Sequence, residues 1–315
     1  MSSNRYILFI PISGFIDTLV GLRRALIYAK RFKRILLIDT TRQVYKINFS
    51  EYFDVRGWNV PIISDIKEIE EILSREILSV FPNEIKVNEL LKGNYHFGWT
   101  KGIYALNAYH KFNSGHIISM NPPGATHNVE EDLIVNSLCG GGGTWKIALR
   151  FIRFAPNFAQ LIVHEFNQRQ EVIGGDYLTV GVRHSDHLSD YNKLYEDNKH
   201  ILQDRKIHLA TDNSLVVDFF KEKKLNIFNF TTFPKNQKKI DNHNYNGYKP
   251  VVQPIHYSDV PGDRQLRDLL IDISLASCSD RVISNSKGGF QQAIRDFRKH
   301  FGTNLINYMC RAWEK

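Results

Sequence analysis

Arg183, His184, Ser185, Asp186 and His187 follow directly on the apolar run Thr179-Val-Gly-Val182. That is a buried strand delivering a charged cluster to its carboxyl end. A planar guanidinium in such a place can grip a diphosphate through two parallel hydrogen bonds. When a glycosidic bond to that diphosphate breaks, negative charge grows on the leaving oxygen. A fixed cation then stabilises the transition state more than the ground state. The same residues also allow an Arg183–Asp186 ion pair that only braces a turn. His184, Asp186 and His187 hold two imidazoles and a carboxylate, but a metal would still need geometric support from further residues.

Two other segments place small polar residues between an apolar run and a helical one. Ala210, Thr211 and Asp212 close the run Lys206–Thr211, and Ser284, Asn285, Ser286 and Lys287 follow Arg281-Val-Ile283. Such residues cap helices. Serine hydroxyls and helix-start N–H groups also bind phosphate, and a carboxylate such as Asp212 accepts two neighbouring N–H groups of a guanine edge. Near the N-terminus, Gly14, Phe15 and Asp17 form a turn that opens a helix. Only one glycine is present and no Gly-Lys-Ser/Thr follows, so this is neither a Walker loop nor a dinucleotide fingerprint.

The elements that must position these residues alternate along the chain. Tyr6–Ile10, a helix with Leu19, Leu22, Leu26 and Ala29 on one face, and Ile35–Ile38 make a strand–helix–strand unit. Strands are predicted at Val60–Ile63 and His116–Met120. Helices are predicted at Ile66–Leu78, Asn83–Leu91, Ala148–Phe154 and Pro156–Gln170. After Gly174-Gly175 the rhythm restarts, with strands at Tyr177–Arg183, Lys206–Thr211, Leu225–Phe230 and Arg281–Ser284. Helices are predicted at Tyr191–Leu202, Asn213–Lys223, Arg264–Ser277 and Gly289–Arg298. The fold class is therefore α/β, with one domain expected over 1–170 and a second over 171–300, to which the resemblance given below assigns the acceptor side and the nucleotide sugar. A C-terminal helix over 301–315 is expected to pack back on the first domain. Ligands of open α/β sheets bind at the carboxyl ends of the strands, where the polar residues fall.

Hydrophobic residues at 43% and charged residues at 23% exclude a disordered or fibrous chain. The three cysteines, Cys139, Cys278 and Cys310, are widely spaced and exclude a disulfide scaffold and a zinc-finger pattern. The net charge of +8 suits a phosphate-bearing ligand, and no nucleic-acid-binding module accompanies it. The apolar run at the N-terminus is too short to span a bilayer. The expectation is a cytoplasmic protein, peripheral if it meets a membrane at all, and without stable membrane insertion. Loops Asn121–Thr126 and Cys139–Thr144 are expected to line a substrate cleft, with Tyr95, Trp99 and Trp145 available to stack on sugar rings or to fill the core.

In order and spacing these motifs resemble the bacterial nodulation and core α1,6-fucosyltransferases, within the wider α1,2/α1,6/protein-O-fucosyltransferase group. Gly14-Phe15-Ile16-Asp17 with Arg34-Ile-Leu-Leu-Ile-Asp39 looks like that family's opening. Val180-Gly-Val-Arg183-His-Ser-Asp186 looks like its His-x-Arg-x-x-Asp motif, with Gly181 where the family has histidine. Leu209-Ala-Thr-Asp212 and Asp280-Arg-Val-Ile-Ser284-Asn-Ser286 look like its second and third motifs. The similarity covers about residues 5–55 and 176–298. It implies a GT-B-like arrangement of two Rossmann-like domains facing across a cleft, GDP-fucose as donor, a glycan as acceptor, inversion at the anomeric carbon, and no metal or other cofactor. Carried over, Arg183 binds the β-phosphate, Asp212 the guanine, and Ser284 and Ser286 the phosphates. The base that takes the acceptor proton is open among Asp186, Asp190, His187 and Asp17. With Gly181 in place of the motif histidine, another nucleotide sugar is the alternative donor, and a non-catalytic nucleotide- or glycan-binding protein is the alternative role.

Overall fold

The computed structural model describes residues 4–11, 14–42, 45–57, 59–75, 78–81, 83, 85–93, 128–137, 145–185, 189–235, 237, 255, 258–286 and 288–312. The chain divides into two compact units, Met1–Phe158 and Ala159–Lys315. The expected boundary at 170 lies at the far end of the helix in which this division falls. Phe158, near the start of that helix, packs edge-on against Tyr52, Phe53 and Phe154 of the first unit. Arg169, further along it, pairs with Asp268 of the second at 2.7 Å.

The first unit is built on a parallel five-stranded sheet. Its strands are β1 (Tyr6–Phe9), β2 (Ile35–Ile38), β4 (Ile62–Ile63), β5 (Val80–Phe81) and β6 (Leu133–Asn136), in the order β4-β2-β1-β6-β5. Tyr6 lies opposite Ile35 on one side and Leu133 on the other. Central parallel strands are covered on both faces, which is why β1 and β2 read as unbroken apolar runs. Helix α1 (Phe15–Phe32) buries Leu19, Leu22, Leu26 and Ala29 and ends on Lys33 in the left-handed conformation, φ 51°. Arg34 follows, 1% exposed. Its guanidinium donates to the carbonyls of Glu131 at 2.9 Å and Val129, and to Oδ1 of Asn128 at 3.2 Å. A buried arginine thus ties the α1–β2 turn to the chain that leads into β6.

Three corrections to the sequence reading fall in this unit. Strand β6, the second neighbour of β1, was not foreseen. The helix expected over 148–154 is instead α5 (Trp145–Ala148), a tight turn and β7 (Ile152–Phe154), which pairs antiparallel with β3 (Phe53–Val55) below the four-residue helix α2 (Phe49–Tyr52). Aromatic and β-branched residues favour the extended partner there. Helix α3 (Ile66–Arg75) starts on Asp65, whose Oδ1 accepts from the N–H groups of Lys67 and Glu68, but it stops before residue 78. Helix α4 is only Val87–Leu91. Of the two readings open for Trp145, sugar platform or core, its full burial gives the core. The predicted strand at 116–120, the loops 121–126 and 139–144, and Tyr95 and Trp99 lie outside the described residues.

The second unit holds four parallel strands, β8 (Leu178–Val182), β9 (Lys206–Thr211), β10 (Asn226–Phe228) and β11 (Arg281–Ile283), in the order β10-β9-β8-β11. Before, between and after them come α6 (Pro156–Ile173), α7 (Tyr191–Leu202), α8 (Ser214–Glu222), α9 (Gly262–Cys278), α10 (Gly289–Asp296), a wide turn over Phe297–Phe301, and α11 (Leu305–Met309). Val180, Val182 and Leu209 pack with Leu194, Val216 and Phe220 from α7 and α8. Thr179 and His208, paired across the sheet, point the other way. Oγ1 of Thr179 lies 3.2 Å from Nδ1 of His208, and Nε2 of His208 lies 3.1 Å from Oδ1 of Asp272 on α9. Helix α11 is anchored within this second unit, where the sequence reading placed it against the first: the Ile306 N–H donates to Ser274 on α9.

Candidate functional site

The carboxyl ends of β8, β9 and β11 meet in one network. After β8, the His184 N–H donates to Oδ1 of Asp212 at 2.7 Å, and the Ser185 hydroxyl donates to Oδ2 at 2.5 Å. Asn213, beside Asp212, donates its side-chain N–H to the His184 carbonyl at 2.9 Å and accepts the Leu215 N–H with Oδ1, capping α8. The two residues after β9 therefore fix the turn after β8 from below. Ala210 and Thr211 form the buried end of β9, with Ala210 opposite Gly181.

The β11 side is equally tied. Ser284 donates to the Gly181 carbonyl at 2.6 Å, and its oxygen accepts the Ser286 N–H at 3.1 Å. Ser286 Oγ accepts the Arg183 N–H at 3.0 Å and lies 2.7 Å from the hydroxyl of Ser189. Nδ1 of His184 is 2.8 Å from the Ser189 carbonyl. A carbonyl only accepts, so Nδ1 carries the hydrogen. Asp190 caps α7 by accepting the Lys193 N–H, and its carbonyl accepts from the Asn285 amide at 2.9 Å.

The Arg183 side chain runs to the start of α10. Gly288, the residue before that helix, has φ +147°, and a Cβ there would stand 3.2 Å from Nη1 of Arg183. A guanidinium is thus brought against the N-terminal end of a helix, where unpaired N–H groups and the helix dipole are also positive. Both features favour one anion at this point. Among the described residues no three His, Cys, Asp or Glu side chains cluster as metal ligands.

Of the residues expected from sequence, Arg183, His184, Asp190, Ala210, Thr211, Asp212, Ser284, Asn285 and Ser286 come together here. Asp186, His187 and Lys287 lie outside the described residues. Gly14, Phe15 and Asp17 belong to the first unit. Phe15 is buried there with its ring 5.7 Å from that of Phe53, and its N–H donates to the Tyr45 hydroxyl at 3.3 Å. Sequence reading missed Ser185, Ser189 and Asn213 as members of the network, and Gln291, whose side chain stands over Gly181. Asn213 and Ser189 stand at or next to helix caps, a signal present in the sequence. Gln291 is a polar residue inside a helix and carries no such signal.

Parallel strands ending on an arginine, a carboxylate and a pair of serines define a Rossmann-like ligand-binding unit. No protein-family model matches the sequence, and no curated protein sequence matches it. Solved structures do. The fold is similar to that of fucosyltransferase NodZ from Bradyrhizobium, at 18% identity over 93% of each chain with a TM-score of 0.57. It is similar also to NodZ alpha-1,6-fucosyltransferase co-crystallised with GDP, at 17% identity over 93% of this chain and 92% of that one, TM-score 0.56. The same enzyme soaked with GDP-fucose gives 17% and 0.53 over the same shares. The fold is therefore fucosyltransferase-like, α/β with parallel sheets, of the GT-B kind. Among the described residues no helix is long and apolar enough to cross a membrane.

Proposed function

We propose that this chain is an inverting, metal-independent glycosyltransferase that moves fucose from GDP-fucose to a hydroxyl of a glycan. The observation that carries the reading is the Arg183 guanidinium held against Gly288 at the start of α10, beside Ser286, in a chain with the fold of NodZ. An acceptor oxygen attacks the anomeric carbon, the bond from that carbon to the diphosphate oxygen breaks, and the electron pair stays on the diphosphate. Arg183 and the α10 N–H groups stabilise that charge as it forms. Asp212 keeps the Arg183 turn in place while facing the nucleotide. The proton of the acceptor passes to a base of the segment after β8, with Asp186, His187 and Asp190 as the choices. No metal is needed because the guanidinium and helix start do the neutralising.

The test is a thermal-shift series with GDP, GDP-fucose, GDP-mannose, UDP and CMP, each with and without EDTA. A ligand at a hundred times its dissociation constant adds about 2.7 kcal/mol of stability. Stabilisation by GDP and GDP-fucose that EDTA leaves unchanged is the expected result, followed by GDP release when a glycan is supplied. Stabilisation by UDP alone would overturn the donor assignment, and loss of the effect in EDTA would overturn metal independence.

A further inference from the structure

A hollow of about 330 Å³ lies between β11, the edge strand, and α10 with the turn that follows it. Arg281 from the strand, Arg295 from the helix and Lys299 from the turn stand on its rim, all three exposed. Arg298 is nearby, but its guanidinium donates to the carbonyls of Ala276, Ser279 and Asp280 and closes the end of α9. Asp280, the carboxylate at this rim, is paired with Arg205 at 2.7 Å. Among the described residues, none of Arg281, Arg295 and Lys299 is paired with a carboxylate. Three cations on one rim favour an anion there.

The wall of the hollow adds a second, independent feature. Gln291 is 6% exposed and lines the space, yet its side-chain amide makes no hydrogen bond to a described residue. Its polar atoms face the hollow, where a ligand's groups can take the place of water. A carboxamide both donates and accepts, which matches a hydroxyl. No aromatic ring is among the described residues that line the hollow, so a nucleobase would find no stacking surface. Ser284 and Ser286 also line it, and both belong to the network around Arg183.

We infer that this hollow is a subsite for an acidic sugar, its phosphate, sulfate or carboxylate held by Arg281, Arg295 and Lys299 and its hydroxyls by Gln291. Resting on the glycosyl-transfer reading above, it makes the acceptor an acidic glycan. The chemistry shared by these ligands is an oxyanion on a hydroxylated ring.

The experiment is calorimetric titration of the whole chain with glucuronate, glucose 6-phosphate, inorganic phosphate and glucose at constant ionic strength, with GDP absent and then saturating. The expected result is saturable binding of glucuronate or glucose 6-phosphate that persists with GDP bound. It should be at least about tenfold tighter than that of phosphate or glucose, and the better of the two names the acid group. Arg281→Ala with Arg295→Ala should weaken it at least about tenfold and leave GDP binding as it was. Gln291→Leu should remove the advantage of the sugar acid over bare phosphate. Absence of acidic-sugar binding, an unchanged affinity in the double arginine variant, or displacement by GDP would each overturn the subsite. If GDP does not bind while the acidic sugar still binds through Arg281 and Arg295, the subsite stands and the donor reading fails. If GDP binds and no acidic sugar does, only the subsite fails.

Discussion

A Cβ placed on Gly181 would lie 2.3 Å from Nε2 of Gln291. The strand residue two before Arg183 therefore has no room for a side chain, because α10 has put a glutamine there. This accounts for the glycine where the resembling motif carries histidine. Gly181→Ala should destabilise the protein by about 1 kcal/mol, the lower range for overpacking, since the amide must swing away. Gly181→Ala combined with Gln291→Ala should cost less than the two single changes added together, with a coupling of at least about 0.5 kcal/mol. Urea unfolding of the four proteins measures it, and strict additivity would show that the two residues do not compete for space.

Asp212 holds the turn that carries Arg183 through two bonds, to the His184 N–H and the Ser185 hydroxyl. Asp212→Ala should remove about 2 kcal/mol of stability, as hydrogen bonds to a charged acceptor do, and also weaken GDP. Asp212→Asn keeps one accepting oxygen and should recover part of the stability. Were GDP affinity lost in both while stability stayed unchanged, Asp212 would be a base-reading residue and not a brace.

The second unit was legible in the sequence almost element by element. Its strands are apolar runs bounded by small polar residues, and α7 and β9 begin and end where the periodicity placed them. That order follows from local signals: Asp190 and Asn213 cap the helices they precede. The first unit was less legible. Leu133–Asn136 is only four residues long and follows Glu130-Glu-Asp132, so nothing local marks it as a central strand; its place next to β1 is set by pairing across the whole unit. Ile152–Phe154 was mistaken for helix because three residues cannot display a period, and its partner strand lies almost a hundred residues earlier. In the site, the residues with distinctive chemistry were found from their positions after strands. Gln291 was not, because its meaning comes from what Gly181 lacks.

Tyr177 is buried, and its hydroxyl donates to the Leu275 carbonyl at 2.7 Å. Burial, then the neighbouring Cys278 and Asp280, push its pKa well above the ordinary value. The folded protein thus keeps this proton at pH values where the unfolded chain, titrating near 10, has lost it. The unfolded state then binds fewer protons, so stability must fall as pH rises above about 10. Tyr177→Phe should cost about 1 kcal/mol at pH 8, the worth of one hydrogen bond. The gap between the two proteins should close as pH climbs past 10. Unfolding midpoints from pH 8 to 11 provide the check, and a gap that stays constant would mean that Tyr177 does not titrate with unfolding.

Arg183 is the residue on which the proposed chemistry turns. Its N–H is tied to Ser286 and its guanidinium lies against Gly288, so its position is fixed at both ends. If the cation serves the departing diphosphate, its benefit is larger in the transition state than in the bound donor. Arg183→Ala should then lower kcat about 100- to 1,000-fold, as loss of one preorganised donor does, while GDP-fucose affinity falls less than about tenfold. Arg183→Lys keeps the charge but not the planar fork and should fall between the two. Gly288→Ala tests the other side of the contact, since it adds a Cβ 3.2 Å from Nη1 at a φ that alanine rarely adopts; it should reduce kcat in the same sense. An equal loss of turnover and of donor affinity in Arg183→Ala would instead make the residue an anchor for the ground-state diphosphate, and the charge of the leaving group would have to be met by the α10 N–H groups.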